Sequence, residues 1–247
     1  MKIINLSIFF IALWCSLFSS NALLGQVDLE TYFDIGSTNV SDGAYVRNAL
    51  LGAYHIESTK IEAGVQLDLK STSPNFLTGI NFRIMQEINI KDFEFDAHGL
   101  FVHNPFSDFV HETNWGLLAG ISRSHFTFQL GPSFRTYTIT KEARENYNID
   151  ENTSLHENWN VLYLASYQLK PAGNSWNAGI SVTNMDNFLI NQETNPMILL
   201  NGYYKATKAI SVFTEAWYKS SGSLNISANH FGYFFRAGLI WELELKK

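Results

Sequence analysis

The chain has 247 residues, of which 46% are hydrophobic, 15% aromatic and only 16% charged, whereas soluble domains carry about 25% charged residues. This abundance of aromatic residues excludes an intrinsically disordered chain. The net charge is −6 and no basic run occurs, so we expect no nucleic-acid partner.

The N-terminal residues 1–25 have the pattern of a secretory signal peptide. Lys2 precedes an apolar stretch over residues 3–18, and residues 19–25 then include the small residues Ser20, Ala22 and Gly25. A positive charge, a short apolar core and small residues near the cleavage point define such peptides. We therefore expect 1–25 to be removed together with Cys15, the only cysteine, which leaves the exported protein without a disulfide. The alternatives are a retained membrane anchor and a lipoprotein acylated at Cys15.

From residue 26 onward, apolar and polar residues alternate with a period of two. Ile61, Ala63 and Val65 fall on one face of their segment, and Lys60 and Glu62 fall on the other. Such alternation predicts β-strands with one apolar face. Twelve segments show this pattern: 27–36, 44–57, 60–70, 76–88, 92–103, 110–122, 125–139, 158–170, 175–184, 197–206, 209–219 and 230–245.

The connections between these segments alternate between tight turns and longer loops. Among the longer ones are 37–43, 104–109, 140–157 and 185–196. An even number of strands with short turns at one end and longer loops at the other is typical of transmembrane β-barrels. We therefore predict an all-β fold over 26–247, a single antiparallel transmembrane β-barrel of about 12 strands. A soluble β-sandwich or lipocalin-like barrel would also alternate and is the alternative.

The signal peptide, the twelve segments and the closing strand 231–245 together resemble Gram-negative outer-membrane β-barrel proteins of the Bacteroidota type, without a specific subfamily. Trp159, Tyr163 and Tyr167 share the apolar face of one strand, as residues of a membrane interface do. The resemblance implies a place in the outer membrane of the cell envelope, in contact with outer-membrane lipid and lipopolysaccharide. The chain departs from many such barrels by ending on Lys246-Lys247, which weakens the aromatic C-terminal assembly signal.

The polar faces of the strands predict a lumen rich in ionisable side chains. Twelve strands lie between filled eight-stranded barrels and open sixteen-stranded porins. We therefore expect a narrow, porin-like passive channel for a small solute. The alternatives are a structural or scaffold barrel with an envelope protein as its partner in a secretion or assembly complex, and an outer-leaflet lipid hydrolase. The residues expected to line the lumen are Lys60, Glu62, Asp68, Arg83, Glu94, Asp96, His98, Arg135, Lys205, Trp217, Arg236 and Glu242.

Two groups of these inward positions bear on what the lumen would recognise. Asp92, Glu94 and Asp96 form an acidic ladder on one face of a strand, and the preceding strand supplies Arg83 as the nearest basic residue. Tyr203, Phe213 and Trp217 lie among polar residues, where aromatic rings stack on a sugar or simply fill space.

A lipid hydrolase requires a serine nucleophile and a histidine base within hydrogen-bond reach. The weak catalytic candidates lie in one hairpin: His103, Ser107, Asp108 and His111. The two histidines would be near neighbours across strands at the outer rim, where polar residues also contact lipid headgroups. Their spacing does not predict a closed metal site, and no motif in the chain predicts a cofactor.

The longest connection, 140–157, is polar and acidic. Long loops of this kind either fold into the lumen as a constriction or cap the surface. A short helix over 141–147 is expected within it.

Overall fold

The computed structural model of this protein describes residues 25–37, 44–70, 76–105, 108–150, 155–156, 159–169, 175–191, 196–219 and 232–244. The expected signal peptide thus lies outside the described residues up to residue 24. The described chain forms thirteen β-strands and one helix. They are β1 (Gln26–Ser37), β2 (Ala44–Ile56), β3 (Thr59–Asp68), β4 (Leu77–Ile90), β5 (Phe93–Asn104), β6 (Val110–Arg123), β7 (Phe126–Ile139), α1 (Lys141–Tyr147), β8 (Leu155–His156), β9 (Asn160–Leu169), β10 (Trp176–Thr183), β11 (Met197–Lys205), β12 (Ile210–Lys219) and β13 (Tyr233–Glu244).

Twelve of these strands close an antiparallel barrel. Successive strands pair as hairpins, β7 pairs with both β6 and β9, and β1 pairs with β13 from Gln26 opposite Glu244 to Gly36 opposite Phe234. The two-residue β8 pairs only with β7, beyond the point where β9 ends. The predicted fold, an all-β barrel of twelve strands, is confirmed. The prediction succeeded because period-two alternation indicates strands with one polar face and one apolar face.

The two ends of the barrel differ in their connections. At one end, here called the tight-turn end, Glu57, Lys91 and Ser124 take φ angles of 52°, 56° and 55°. This left-handed conformation lets a hairpin reverse within two residues. The barrel's first and last paired residues, Gln26 and Glu244, lie at the same end. The other end, the long-loop end, carries the longer connections and α1.

The outer surface of the barrel is apolar. Leu117 is 64% exposed while its neighbours Gly116 and Leu118 are buried, and Trp159, which precedes β9, is 72% exposed. Large hydrophobic side chains with the same outward register recur on the other strands, among them Phe82, Phe128, Ile180, Leu200, Phe235 and Trp241. An apolar surface of this extent on a closed barrel is what a lipid environment requires. No helix in the described part of the chain is long and apolar enough to cross a membrane.

The helix α1 forms over the residues expected for it and lies on the surface of the long-loop end. The side chain of Thr140 caps its N-terminus by accepting a hydrogen bond from the Ala143 amide at 3.2 Å. Asn148 ends it in the left-handed conformation with φ 51°. Most of its side chains are exposed. The described part of this loop therefore caps the barrel, and a different segment enters the interior.

Candidate functional site

The barrel interior is open to solvent at the tight-turn end. Many inward side chains there are half-exposed, whereas most of those nearer the long-loop end are buried. We call the half-exposed region the vestibule. Its inward residues include Glu30, His55, Lys60, Arg83, Met85, Glu87, Gln168, Asn201, Tyr203 and Glu242.

Residues 184–191, between β10 and β11, fold into the barrel and fill its buried half. This inner segment is a small hairpin in which the Asp186 amide donates to the Leu189 carbonyl and the Asn191 amide to the Asn184 carbonyl, both at 2.7 Å. Its turn, from Asp186 to Leu189, carries polar and apolar side chains, and both kinds contact the barrel interior. The interior is therefore narrowed by the connection between β10 and β11. For 140–157 a constriction and a surface cap were both left open, and its described helix lies on the surface.

Three successive apolar residues attach the inner segment to three parts of the wall. Phe188 packs in a cluster with Tyr32, Ala49, Leu51 and Phe213. Leu189 packs with Tyr45, Met197, Trp217 and Phe234, and Ile190 with Leu100, Val102, Leu118 and Leu162. Each of the three described clusters thus joins the segment to several wall residues, with Met185 of the segment also packed against the third, so the segment spans the interior.

A buried arginine ties the same segment to the wall by charge. The guanidinium of Arg236 donates to Asp186 at 2.7 and 3.0 Å, to Asp34 at 2.7 and 3.2 Å and to Glu215 at 3.2 Å. Its Cζ also lies 4.0 Å from the ring centroid of Tyr32. Arg236 is only 4% exposed. Charges so far from water require close partners, because desolvation costs several kcal/mol per ion.

A second cationic anchor lies on β7. Arg135 donates at 2.6 Å to the Ile190 carbonyl of the inner segment and at 2.6 Å to the side-chain oxygen of Asn114. Glu112 lies 3.5 Å from the same guanidinium and accepts from Asn114 at 2.7 Å. All three wall residues are buried. The inner segment is therefore held by a hydrogen bond from Arg135 as well as by its apolar contacts.

The three residues of the acidic ladder predicted for β5 lie in different environments. Asp92 lies in the turn before β5 and is exposed, as is Glu94, while Asp96 is buried. Arg83 lies opposite Glu62 on β3 and Leu100 on β5, and Leu100 is four residues further along β5 than Asp96. Arg83 is the nearest basic residue along the preceding strand but does not face the ladder, because antiparallel register sets Glu87 opposite Asp96.

Asp96 instead belongs to a buried polar triad. His98 Nε2 lies 2.6 Å from Asp96 Oδ1, and Gln129 Nε2 donates to Asp96 at 3.0 Å and lies 3.1 Å from His98 Nε2. Gly120 faces this group across the strand pair. A Cβ there would come within 2.4 Å of the Asp96 carboxylate, so the absence of a side chain makes room for the triad.

The remaining residues expected in the lumen occupy inward positions as ion pairs or packed rings. Lys60 lies 2.8 Å from Glu62, and Lys205 lies 2.9 Å from Glu242. Asp68 is buried opposite Arg47.

The inward aromatic residues are packed rather than presented to a ligand. Trp217 stacks on Phe234 with ring centroids 5.4 Å apart and donates to Glu215 at 2.7 Å. Phe213 is in contact with Tyr32, and the hydroxyl of Tyr203 donates to Ser211.

Several interior charged residues were absent from the sequence-based set. Arg47, Asp34 and Glu112 lie in predicted strands with inward parity, so extending the period-two count over β1, β2 and β6 would have found them. The inward position of Asp186 could not be predicted, because Asp186 lies in a connection, where the period-two pattern of strands does not apply. Only folding brings Asp186 to Arg236.

The histidine pair at the outer rim forms as expected, on the outward face. The ring centroids of His103 and His111 are 5.6 Å apart, and His103 Nδ1 lies 2.9 Å from the Thr113 hydroxyl. Asp108 is exposed, and Ser107 lies outside the described residues. Within the described chain no group of three or more His, Cys, Asp or Glu side chains is arranged to hold a metal ion.

No protein-family model matches this sequence, and no curated protein matches it. Solved structures do match its fold. The KdgM porin in complex with disordered oligogalacturonate superposes with a TM-score of 0.51 at 10% identity, covering 87% of this chain and 98% of that chain. A second structure of the KdgM porin gives 0.50 at 8% identity, over 87% and 98%. An outer membrane channel from Pseudomonas putida F1 gives 0.50 at 8% identity, over 91% and 97%. At such identities the likeness establishes the fold alone, which is that of outer-membrane β-barrels.

Proposed function

We propose that this protein is a narrow passive channel of the Gram-negative outer membrane, porin-like, with a charged lumen constricted by the inner segment. The export signal predicted for 1–25 and the apolar outer surface support this location. Outer-membrane lipid and lipopolysaccharide would then surround the barrel. Intact-mass measurement of the protein purified from outer membranes tests the export step, with loss of residues 1–25 as the expected result.

The observation that carries the proposal is a polar interior that opens to solvent at the tight-turn end. A dry barrel of this size would fill with apolar side chains or with fully paired polar ones. Here the hydroxyl of Tyr32 and both side-chain amide atoms of Asn81 are buried without a hydrogen bond to any described residue. Buried polar atoms nearly always have partners. Water in a continuous path would supply them.

In this proposal the residues predicted for the lumen divide by position along the path. Lys60, Arg83 and Glu242 line the vestibule, and Arg236 and Arg135 hold the constriction. The polar atoms of the Asp96–His98–Gln129 triad lie on the wall of the vestibule, where Asp96 is opposite Glu87 and His98 is opposite Met85. Barrels of this fold include a porin solved with oligogalacturonate, which supports passage of a small solute without identifying it.

Single-channel recording of the refolded barrel in a planar bilayer tests the proposal. Stepwise currents that change in Asp96→Asn and Arg83→Ala variants are the expected result. Asp108→Asn is the matched control, because Asp108 is exposed outside the interior. Silence from a barrel with native strand content would overturn the channel proposal.

The alternative is a closed structural barrel within an envelope complex. The observation in its favour is the apolar packing of Phe188, Leu189 and Ile190 across the interior. Such a barrel would pass no ions and would copurify with an envelope protein after mild cross-linking. A channel that acts alone would pass ions without a partner protein.

A further inference from the structure

The barrel interior holds a large excess of negative charge. Among inward-facing side chains of the described residues that are buried or half-buried, eleven are carboxylates and six are Lys or Arg. With histidines counted as neutral, these interior side chains carry a net charge of −5 (6 − 11), compared with −6 for the whole chain. The carboxylates are Asp28, Glu30, Asp34, Glu62, Asp68, Glu87, Asp96, Glu112, Asp186, Glu215 and Glu242, and the cationic residues are Arg47, Lys60, Arg83, Arg135, Lys219 and Arg236.

The excess is present at the constriction. Three carboxylates, those of Asp34, Asp186 and Glu215, share the single guanidinium of Arg236 within 3.2 Å. The neighbouring Arg47 lies opposite Asp34 on one side and Asp68 on the other. Four carboxylates, those of Asp34, Asp68, Asp186 and Glu215, thus lie around two guanidinium groups, so this part of the narrow region is acidic.

The excess continues into the vestibule. Glu30 lies opposite Leu51 and Ile240, two inward residues, and Glu87 lies directly opposite Asp96. Neither Glu30 nor Glu87 makes an ion pair with a described residue. Two carboxylates facing one another across a strand pair repel unless cations or water lie between them.

Charges of one sign on low-dielectric walls focus the field and concentrate ions of the opposite sign. Acidic side chains lining a pore favour cations in this way. We infer that the path of this barrel selects cationic solutes, metal ions or small organic amines, over anions such as acidic saccharides. This inference rests on the proposed channel function and adds the class of solute to it.

The test is the reversal potential of the full mature barrel in a planar bilayer under a tenfold KCl gradient. The expected result is a potential of the sign that K⁺ permeation gives, with K⁺ favoured over Cl⁻ by several-fold. Raising the mean salt concentration should reduce this preference, because the screening length falls from about 30 Å at 0.01 M to about 3 Å at 1 M. Glu30→Gln combined with Glu87→Gln should lower the ratio by about two-fold through loss of the focused field.

The matched control is Glu142→Gln, which removes one carboxylate from the exposed helix α1 outside the barrel. It should leave the reversal potential unchanged. Currents that favour Cl⁻ or show no preference would overturn the inference while leaving the channel standing. The absence of any current from the folded barrel would instead remove the channel function and this inference with it. A ratio that falls equally in Glu142→Gln would also contradict the inference, since the selectivity would then arise at the surface.

Discussion

Arg236 on β13 donates two hydrogen bonds to Asp186 of the inner segment, at 2.7 and 3.0 Å. The same guanidinium holds Asp34 of β1 and Glu215 of β12. One side chain therefore joins the strands at which the barrel closes to the loop that narrows its interior. Changes at Asp186 should act on the loop, whereas changes at Arg236 should act on the loop and the barrel together.

Replacing Asp186 with Asn should loosen the inner segment while the barrel stays folded, because Arg236 keeps its other two carboxylate partners. A loss of about 1–2 kcal/mol at this contact shifts the equilibrium between a displaced and a bound inner segment by about five- to thirty-fold. Single-channel recording should show a longer open time or a larger conductance. Asp108→Asn, at an exposed position of the long-loop end, should behave like the native protein. Identical gating in both variants would show that the ion pair does not control the segment.

Arg236→Ala should destabilise the whole barrel, because it leaves three carboxylates facing one another in a buried site. Removing one partner of a buried ion pair costs about 3–5 kcal/mol. Urea unfolding from lipid vesicles, followed by tryptophan fluorescence, should show a lower free energy of unfolding. Lys141→Ala is the control, since its one ion pair with a described residue is an exposed one with Glu145, and it should change that free energy little. A loss of equal size in both variants would count against the central role of Arg236.

Leu117→Lys should hinder insertion into a bilayer. Leu117 lies in the middle of β6 and points outward, and a lysine at the lipid-facing midplane costs about 2–4 kcal/mol. Heat-modifiable mobility on gels after refolding into vesicles should show a smaller folded fraction. Glu142→Lys, which places the same residue type on the exposed helix, should fold as the native chain does. Equal folding of the two variants would contradict a lipid-facing wall at this height.

The histidine pair at the rim is expected to have no hydrolytic role. His103 contacts Thr113, and no described serine hydroxyl is bonded to it or to His111. Incubation of the refolded barrel with a fluorogenic phospholipid should release no product above background, and His103→Ala should give the same trace. Product release by the native barrel that disappears in His103→Ala and in Ser107→Ala would establish a lipid hydrolase instead.

The strands could be predicted closely from the sequence because each one is a local pattern. Alternation of Ile61, Ala63 and Val65 with Lys60 and Glu62 already places one face toward lipid and the other inward. A short helix over 141–147 was likewise predicted, and it forms as α1. Inward positions such as Arg236 follow from parity alone.

Which inward residues meet could not be predicted, since that depends on register between strands. Arg83 was placed near Asp92–Asp96 by sequence proximity, but antiparallel pairing sets it opposite Leu100. Parity gives the face of a side chain and leaves its height on the barrel open. The height decides the partner.

The sequence by itself determined a barrel of twelve strands with a polar interior, and short turns at one end with longer loops at the other. The alternation repeats every two residues and the loop lengths are read along the chain, so neither feature needs a distant contact. Only the tertiary structure decided that residues 184–191 fill the interior and that Asp186 joins Asp34 and Glu215 on Arg236. Those contacts span 50, 202 and 21 residues along the chain. They form because closing the barrel brings β1 and β13 together, and a buried guanidinium then draws every carboxylate within reach.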